Sequence, residues 1–441
     1  MTLALAASAC TNDSKAGGCP ALTKPKSGGT DHPNDGGEGT KSVWKAEDSP
    51  HRVGTFSLFD AELTIEPCSY VIMDGGGTSI TVSRGGKLTA VGTEDQPIAI
   101  DAADPSKPWE TIETRYITPT GYTEDTQGGY IQMAHVTMSD GGVTYTGSLV
   151  PMMRAHGADS SVTNLPPTEH LDLQDVTVQR GSTYGVLLDL GATFSPTSKN
   201  LTITDQPTAP MRIGFRNIDA VPTGKYTGNG HDVIEVDPDV TGLIRSATVH
   251  PRDVPYLMGL QDDNGHFAVG LDTGAAGTLT IEPGVTMQFR PHNPLEIYKT
   301  GTLVARGTAA DPIVFTSGEA TPAAGDWSGI QFIDVPSAAS VIDHAVVEYA
   351  GDNYQSLGAT CNVSASGGSS SYGAIAFAER PATALVTNTL IAHSLHNGID
   401  RVWTGSPLDF TPTNTFTDNA ECKQSYPVPS TGACPDPVPC D

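Results

Sequence analysis

The chain contains two copies of one sequence pattern, and this internal repeat most constrains its fold. Residues 63–112 carry LTIEPCSYVIM, ITVSRGGKLTAVGTEDQPIAIDA and PWETI. Residues 279–332 carry LTIEPGVTMQF, LEIYKTGTLVARGTAADPIVFTS and GDWSGIQF. The pairs Thr64 and Thr280, and Trp109 and Trp327, are separated by nearly the same number of residues. A fixed internal period predicts a repeat architecture in which neighbouring units stack.

Each copy is a series of short runs in which apolar residues alternate with polar ones. Leu63 and Ile65 form one such pair, Leu88 and Ala90 another, and Gly, Asp or Pro ends each run. This pattern predicts short β-strands joined by turns. Such strands cannot bury a core singly, but coils stacked about 4.8 Å apart enclose one continuous apolar interior. We therefore expect an all-β solenoid.

The pattern divides the chain into five segments. Residues 1–10 are a short apolar N-terminus, and residues 11–42 are polar and rich in Gly and Pro, which predicts a flexible tether. The first copy occupies residues 43–214, and a connecting coil with the second copy occupies residues 215–420. Residues 421–441 form a tail rich in Cys and Pro. No separating linker lies between the copies, so we expect one solenoid.

The charge balance excludes some partners. The chain has 24 Lys and Arg against 50 Asp and Glu, a formal net charge of −26. A nucleic-acid-binding surface must be basic, so no nucleic-acid partner is expected. The same charge argues against electrostatic docking on anionic lipid. The composition fits a soluble, exported protein.

The N-terminus indicates how the chain is exported and held. The run LALAASA ends at Cys10 and resembles a bacterial lipoprotein signal with its lipobox. In that family the Cys becomes the lipidated first residue of the mature protein. The resemblance implies contact with a membrane only through an N-terminal lipid anchor. The expected location is the outer membrane or cell surface, or the medium if the protein is secreted.

The remaining cysteines predict disulfides. Six remain, an even number in an exported chain, and none has the spacing of a zinc site. Six cysteines allow fifteen pairings. The expected pairing joins each end to the nearby body: Cys19–Cys68, Cys361–Cys422 and Cys434–Cys440.

Several strings together carry a family resemblance. LTIEPGVTMQF, GTLVARGTAADPIVFTS, GDWSGIQF and VVEYAG resemble right-handed parallel β-helix proteins of the pectin-lyase-like superfamily, across roughly residues 43–420. The nearest group is secreted or lipid-anchored bacterial surface proteins. The resemblance implies a single right-handed parallel β-helix built from two degenerate copies. The superfamily includes polysaccharide lyases, glycoside hydrolases and adhesins, so the fold does not settle the function.

The resemblance implies that carboxylates near basic residues are candidate catalytic groups, because lyases of this fold use Asp or Glu with Ca²⁺, and Arg or Lys as the base. Two successive coils of the second copy carry the best candidates. Two carboxylates with a His or Arg form an acid–base set if the coils bring them together. The alternative is ordinary solvent-facing polar residues. The candidate catalytic residues are Asp343, His344, His393, His396, Asp400 and Arg401.

No metal site or cofactor is predicted. Asp74, Asp237 and Asp262 lie in short runs that supply oxygen ligands. Ca²⁺ needs six to eight oxygens, and none of these runs provides a complete set. Ca²⁺ is compatible with these oxygen ligands, but no complete ligand set supports a site for it.

Aromatic side chains in the longer connections are candidates for sugar binding, because Tyr and Trp combine an apolar face with a polar end. Insertions at residues 113–130, 142–168 and 351–374 fall at corresponding places in the two copies. Loops grouped on one side of a solenoid commonly form its binding face. The candidate ligand-binding residues are Tyr122, Tyr130, Tyr145, Tyr354, Tyr372 and Trp403.

Three functions remain open from the sequence. The preferred one is a non-enzymatic, lipid-anchored, monomeric surface protein that presents its loops to a polysaccharide or a cell-surface protein. The first alternative is a polysaccharide lyase or glycoside hydrolase that uses the second-copy cluster. The second alternative is a structural spacer.

Overall fold

The computed structural model describes residues 19, 22–25, 27–32, 39–115, 128–145, 148–157, 168–238, 242–259, 265–353, 356–361, 368–370 and 372–440. These residues wind into stacked coils of short, mostly parallel strands, which is a parallel β-helix. Helical structure in the described residues is limited to the 3-10 helices Ala46–Asp48, Phe215–Ala220 and Thr411–Thr413. The prediction of an all-β parallel β-helix is confirmed.

One sheet runs through both copies of the repeat, and we call it the long sheet. Each of its strands pairs in parallel with the strand of the next coil. In the described residues its strands are Phe56–Phe59, Ser79–Ser83, Thr111–Arg115, Met153–His156, Val186–Asp189, Met211–Gly214, Ile234–Asp237, Tyr256–Met258, Thr286–Phe289, Ile313–Ser317, Ala345–Glu348, Leu390–Ala392 and Thr415–Thr417.

Two further sheets complete the coils of the N-terminal half. The eight-stranded sheet contains Thr30–His32, His51–Val53, Tyr70–Met73, Ile98–Ala102, Val136–Ser139, Thr177–Gln179, Leu201–Thr204 and Gly224–Lys225. The six-stranded sheet contains Lys41–Trp44, Glu62–Ile65, Lys87–Val91, Tyr130–Ala134, Thr168–Gln174 and Ala192–Phe194. The six-stranded sheet ends at Ala192–Phe194. In the next coil, the helix Phe215–Ala220 follows the long-sheet strand Met211–Gly214 and takes the place that a strand of the six-stranded sheet has in the preceding coils.

Two five-stranded sheets complete the C-terminal half. The first five-stranded sheet contains Ser246–Val249, Gly277–Ile281, Gly301–Arg306, Val341–Asp343 and Val386–Thr387. The second five-stranded sheet contains Phe267–Val269, Pro294–Ile297, Gly329–Phe332, Gly373–Phe377 and Asn397–Arg401. Two antiparallel hairpins project from the coils: Val143–Tyr145 with Ser148–Val150, and Ala359–Cys361 with Gly368–Ser370.

Corresponding strands of the two copies lie in different sheets. Thr111–Arg115, which follows Trp109, belongs to the long sheet, whereas Gly329–Phe332, which follows Trp327, belongs to the second five-stranded sheet. The chain between corresponding residues of the two copies therefore makes a whole number of coils and then advances by one further sheet. The hairpin of the first copy precedes a long-sheet strand, and the hairpin of the second copy follows one. Because long-sheet strands are parallel, the first hairpin lies on the side of their N-terminal ends and the second on the side of their C-terminal ends. This corrects the expectation that the insertions 142–168 and 351–374 share one binding face.

The interior is one apolar core that extends from Trp44 to Phe410. The inward residues of each strand are almost fully buried, as the alternating burial of Val186–Asp189 illustrates. In the second half, aromatic rings stack along the axis. The ring centroids of Phe289 and Trp327 are 4.2 Å apart and the rings are nearly parallel, and the centroids of Phe332 and Phe377 are 4.8 Å apart. This continuous burial is the main favourable term for the fold.

The termini are tied to the solenoid more closely than the sequence predicts. Thr30–His32, within the predicted tether, pairs with His51–Val53. The disulfide Cys19–Cys68 is as predicted. The other two predicted pairings are wrong, because the structure contains Cys361–Cys434 and Cys422–Cys440.

The reason for the different pairing is the path of the tail. Cys361 ends the first strand of the second-copy hairpin, and its backbone N–H donates to the carbonyl of Tyr426 at 2.9 Å. The hairpin and the tail therefore lie side by side, which brings Cys361 next to Cys434. Three disulfides indicate that the chain folds in an oxidising compartment. No helix in the described part of the chain is long and apolar enough to cross a membrane.

Candidate functional site

Four successive strands of the long sheet carry charged residues on their outer face. They are Met153–His156, Val186–Asp189, Met211–Gly214 and Ile234–Asp237, and each buries its first and third residues. The second and fourth residues therefore point away from the core, as the pleat of a strand requires. We call the resulting set the charged row: Arg154, His156, Asp189, Arg212, Glu235 and Asp237.

Strand pairing places these side chains next to one another although they are far apart in sequence. His156 pairs with Asp189, and Arg212 pairs with Glu235. Gly214 pairs with Asp237, and the register that pairs Leu187 with Arg212, continued by two residues, places Gly214 beside Asp189. Neighbouring strands are about 4.8 Å apart. The charged row therefore follows the axis of the solenoid.

Ion pairs fix the side chains of the charged row. Arg154 Nη2 lies 2.6 Å from Asp189 Oδ2, and His156 Nδ1 lies 2.6 Å from Asp189 Oδ1. Arg212 Nε donates to both carboxylate oxygens of Asp237 at 2.9 Å. The side chains of Arg154, His156 and Arg212 remain about one third exposed. These pairs preorganise polar groups that solvent can still reach.

The row continues through Glu235. The hydroxyl of Tyr184 donates to Glu235 Oε2 at 2.7 Å, and Arg290 Nη2 donates to Glu235 Oε1 at 3.1 Å. Burial and the charge of Glu235 raise the pKa of Tyr184, so the phenol stays protonated and acts as a donor. Charges of both signs thus alternate along the face.

The two Asp residues of the row have pKa values displaced in opposite directions. Burial is the largest influence on Asp189 and would raise its pKa, but the hydrogen bond from His156 and the charge of Arg154 together lower it. Burial raises the pKa of Asp237, although Arg212 acts in the opposite direction. Such a pair can supply one ionised and one protonated carboxyl group over a common pH range.

Asp343 and His344, predicted as catalytic, form a pair at a turn of the coil. His344 Nδ1 lies 3.1 Å from Asp343 Oδ2, and Asp343 Oδ1 accepts hydrogen bonds from Thr387 and Asn388. His344 has a φ of 51°, and its first-copy counterpart His135 has a φ of 50°. Non-glycine residues with positive φ are enriched in His, Asn and Asp. The turn conformation therefore explains why a His occupies this position in both copies.

His393 and His396 lie elsewhere, after the long-sheet strand of the following coil. His393 also has a positive φ, 53°, and its ring stacks on Tyr349 at 5.0 Å. His396 lies 3.0 Å from Glu421 through Nδ1 and 2.7 Å from Asn353 Oδ1 through Nε2. Each imidazole is occupied by its own local partners, so neither joins the pair of Asp343 and His344.

Asp400 and Arg401 are buried in the second five-stranded sheet. Every residue of Asn397–Arg401 is buried. The Arg401 guanidinium donates to the carbonyl oxygens of Ser425 and Leu408 and thereby holds the tail. The six predicted catalytic residues therefore do not converge on one open groove. The cause is their position along the coil: Asp343 and His344 precede a long-sheet strand, His393 and His396 follow one, and Asp400 and Arg401 lie in the next sheet.

The predicted aromatic platform is also dispersed. Tyr145 is 47% exposed on the first hairpin. Tyr130 is partly buried with Lys87 Nζ 5.8 Å from its ring centre, and Tyr372 is partly buried against His396. Trp403 is buried and donates to the carbonyl of Ser406, so it cannot serve as an exposed platform. Tyr122, Tyr354 and the predicted lipidation residue Cys10 lie outside the described residues.

Sequence reasoning missed the charged row. The available signal is the set of short strands MRAH, VLLD, MRIG and IEVD, in which charged residues occupy second or fourth positions. The loops between them differ in length, so no fixed spacing marks the residues as neighbours. Among the described residues, no group of three His, Cys, Asp or Glu side chains is arranged to hold a metal ion.

Comparison with known families agrees with the architecture. Residues 265–370 match the model of the pectate-lyase-like β-helix domain. This region contains the first three strands of the second five-stranded sheet. No curated protein and no solved structure matches the chain. The similarity agrees with the β-helix architecture and fits a surface or carbohydrate-related protein.

Proposed function

We propose that the protein is an exported β-helix protein that binds a neutral polysaccharide along the charged row, without catalysis. The observation that carries this proposal is the series of outward polar side chains on four successive coils, each fixed by an ion pair. Arg, His, Asp and Glu offer planar donors and acceptors for sugar hydroxyls. Because these side chains are already held in place, little conformational entropy is lost on binding.

The charge pattern favours a neutral chain over an acidic one. Arg154 and Arg212 are each neutralised by a carboxylate within the row. The whole chain has a formal charge of −26, which repels a polyanion. Tyr145 lies on the hairpin that precedes Met153–His156, so an exposed ring is available near the start of the row.

Affinity electrophoresis tests this proposal with mannan, xylan and dextran as neutral probes and with alginate as an acidic probe. At least one neutral polysaccharide is expected to retard the protein, and alginate is not. Arg212→Gln should weaken the retarding interaction about tenfold or more, as expected for a lost hydrogen bond from a charged group. The control Arg306→Gln removes an exposed guanidinium outside the row and should leave binding unchanged. Equal effects of the two variants would contradict the proposal.

A second candidate function, glycoside hydrolysis, is favoured by the opposite pKa displacements of Asp189 and Asp237. Their backbones are two strand spacings apart, about 9.6 Å. This backbone spacing is close to the upper limit of about 9.5 Å for the distance between the two carboxyl groups of inverting glycosidases. Below the raised pKa of Asp237, that carboxyl group would hold the proton for the departing glycosidic oxygen, and Asp189 would accept the proton of the attacking water. This candidate predicts release of reducing ends that Asp237→Asn abolishes while binding is retained, and no release by the native protein would exclude it.

We also propose that the mature chain is anchored to a membrane through a lipid on Cys10, at the outer membrane or cell surface. The support is the run LALAASAC together with disulfides that require an oxidising compartment. A bacterial host given labelled palmitate should incorporate label into the full chain. Cys10→Ser should abolish the label, and its persistence in that variant would contradict the anchor.

A further inference from the structure

A cavity of about 720 Å³ lies where the two copies of the repeat meet. It is lined by residues that follow Ala192–Phe194, by residues after the helix Phe215–Ala220, and by the turn after Ser246–Val249. Phe194, Val221 and Pro222 form an apolar wall. The cavity is separate from the charged row, whose residues do not line it.

One arginine of the cavity is neutralised internally. Arg245 Nη1 lies 2.6 Å from Asp219 Oδ2, and its Nη2 lies 2.5 Å from Asp219 Oδ1. This bidentate pair matches the fork of a guanidinium to a carboxylate and is the stronger kind of ion pair. Arg245 therefore contributes shape and donors to the cavity but little net charge.

Arg252, the second arginine, has no such partner. Its Nη1 donates to the carbonyl of Pro251 at 2.8 Å, and its Nη2 donates to the carbonyl of Val221. It forms no ion pair with any carboxylate of the described residues, and its Nε–H is buried without a hydrogen-bond partner among them. A partly buried cation that lacks an anion is costly, and a bound anion would offset that cost.

His250 and Glu282 form a polar pair on the cavity wall. His250 Nδ1 lies 2.8 Å from Glu282 Oε2, and both side chains are 41% exposed. Within the described chain, Nε2 of His250 has no hydrogen-bond partner, so it is open to a ligand. Asp219 is neutralised by Arg245, but Glu282 is not paired with an arginine, and its charge disfavours a ligand with more than one negative charge.

We infer that this cavity binds a small organic acid with a single carboxylate group. The carboxylate pairs with Arg252, a second polar group contacts His250, and the carbon body packs on Phe194 and Pro222. Inorganic phosphate fits poorly, because it carries more negative charge and has no apolar body. The cavity is a second site on the molecule, and its ligand binding does not depend on polysaccharide binding.

Isothermal titration calorimetry of the full chain tests the inference with glucuronate, benzoate, glucose and inorganic phosphate. We expect at least one of the two carboxylates to bind, and neither glucose nor phosphate. Arg252→Gln should weaken binding about tenfold or more. His250→Gln provides a second variant that leaves the hydrogen bonds of Arg252 to the backbone intact, and it should also weaken binding.

The control is again Arg306→Gln, which removes the same charge at an exposed position and should leave the affinity unchanged. Binding of phosphate in preference to both carboxylates would overturn the assigned ligand class. Absence of binding by all four probes, or equal affinity of folded Arg252→Gln, His250→Gln and native protein, would overturn the site. Loss of polysaccharide retention by Arg212→Gln with normal carboxylate binding would leave this inference intact.

Discussion

Trp327→Ala is expected to lower the free energy of unfolding by about 3–5 kcal/mol, the usual cost of truncating a buried Trp. Trp327 is fully buried, its ring stacks on Phe289 at 4.2 Å, and its indole N–H donates to the carbonyl of Glu348 at 2.9 Å. Truncation removes the stack, leaves a cavity in the core and leaves that carbonyl without this donor. Urea unfolding followed by circular dichroism measures the change.

Two further variants separate the contributions of Trp327. Trp327→Phe keeps an aromatic ring against Phe289 but loses the indole donor, so it should cost about 1–2 kcal/mol. Trp109→Ala removes the corresponding residue of the first copy, which is also fully buried and donates to Ser139 at 2.9 Å. It should cost about as much as Trp327→Ala. A loss below about 1 kcal/mol for both alanine variants would contradict the assignment of the two Trp residues to one continuous core.

Arg212→Met is expected to cost about 2–3 kcal/mol of unfolding free energy at neutral pH, because Asp237 loses the charge-assisted, bifurcated hydrogen bonds that the Nε–H of Arg212 donates to both of its oxygens. The Asp237 side chain is 23% exposed, so water replaces those bonds only in part. The double variant Arg212→Met/Asp237→Asn removes the stranded charge and should recover part of the loss. Thermal and urea unfolding of the three proteins measure these differences.

The pH dependence of this loss has a defined sign. The pKa of Asp237 is raised by burial, so its ionised form opposes folding above that pKa, and the opposition disappears as the pH falls. The deficit of Arg212→Met should therefore shrink on acidification. Asp189 behaves oppositely: its pKa is lowered, so it stabilises the fold above about 3.9 and loses that effect as the pH falls through its folded pKa. An Arg212→Met deficit that grows on acidification would contradict the environment assigned to Asp237.

The fold could be predicted because its determinants are local. Alternating apolar residues such as Leu63 and Ile65 give strands, Gly and Pro give turns, and the repeat shows that the units stack. The shift between sheets could not be predicted, because it depends on how many sheet positions the chain passes between the copies. The helix Phe215–Ala220 lies in that interval, and its sequence has no strand-like alternation to mark a coil.

The candidate site was harder to predict from the sequence than the fold. His344 and His393 are polar residues on successive coils, but their positive φ values place them at turns. Arg154 and Asp189 instead meet through the register of two strands separated by a long connection. The pairing of Cys361 with Cys434 likewise depends on the path of the tail beside the hairpin. Contacts of this kind arise from tertiary structure alone.

Carbodiimide labelling of carboxylates, with and without the retarding neutral polysaccharide, tests the central claim most directly. The polysaccharide covers the charged row if the proposal is correct, so labelling of Asp189 and Asp237 should fall. Glu62, whose side chain is 51% exposed and lies in the six-stranded sheet, is the internal control and should label equally in both samples. Unchanged labelling of Asp189 and Asp237 in the presence of bound polysaccharide would contradict the charged row as the binding site.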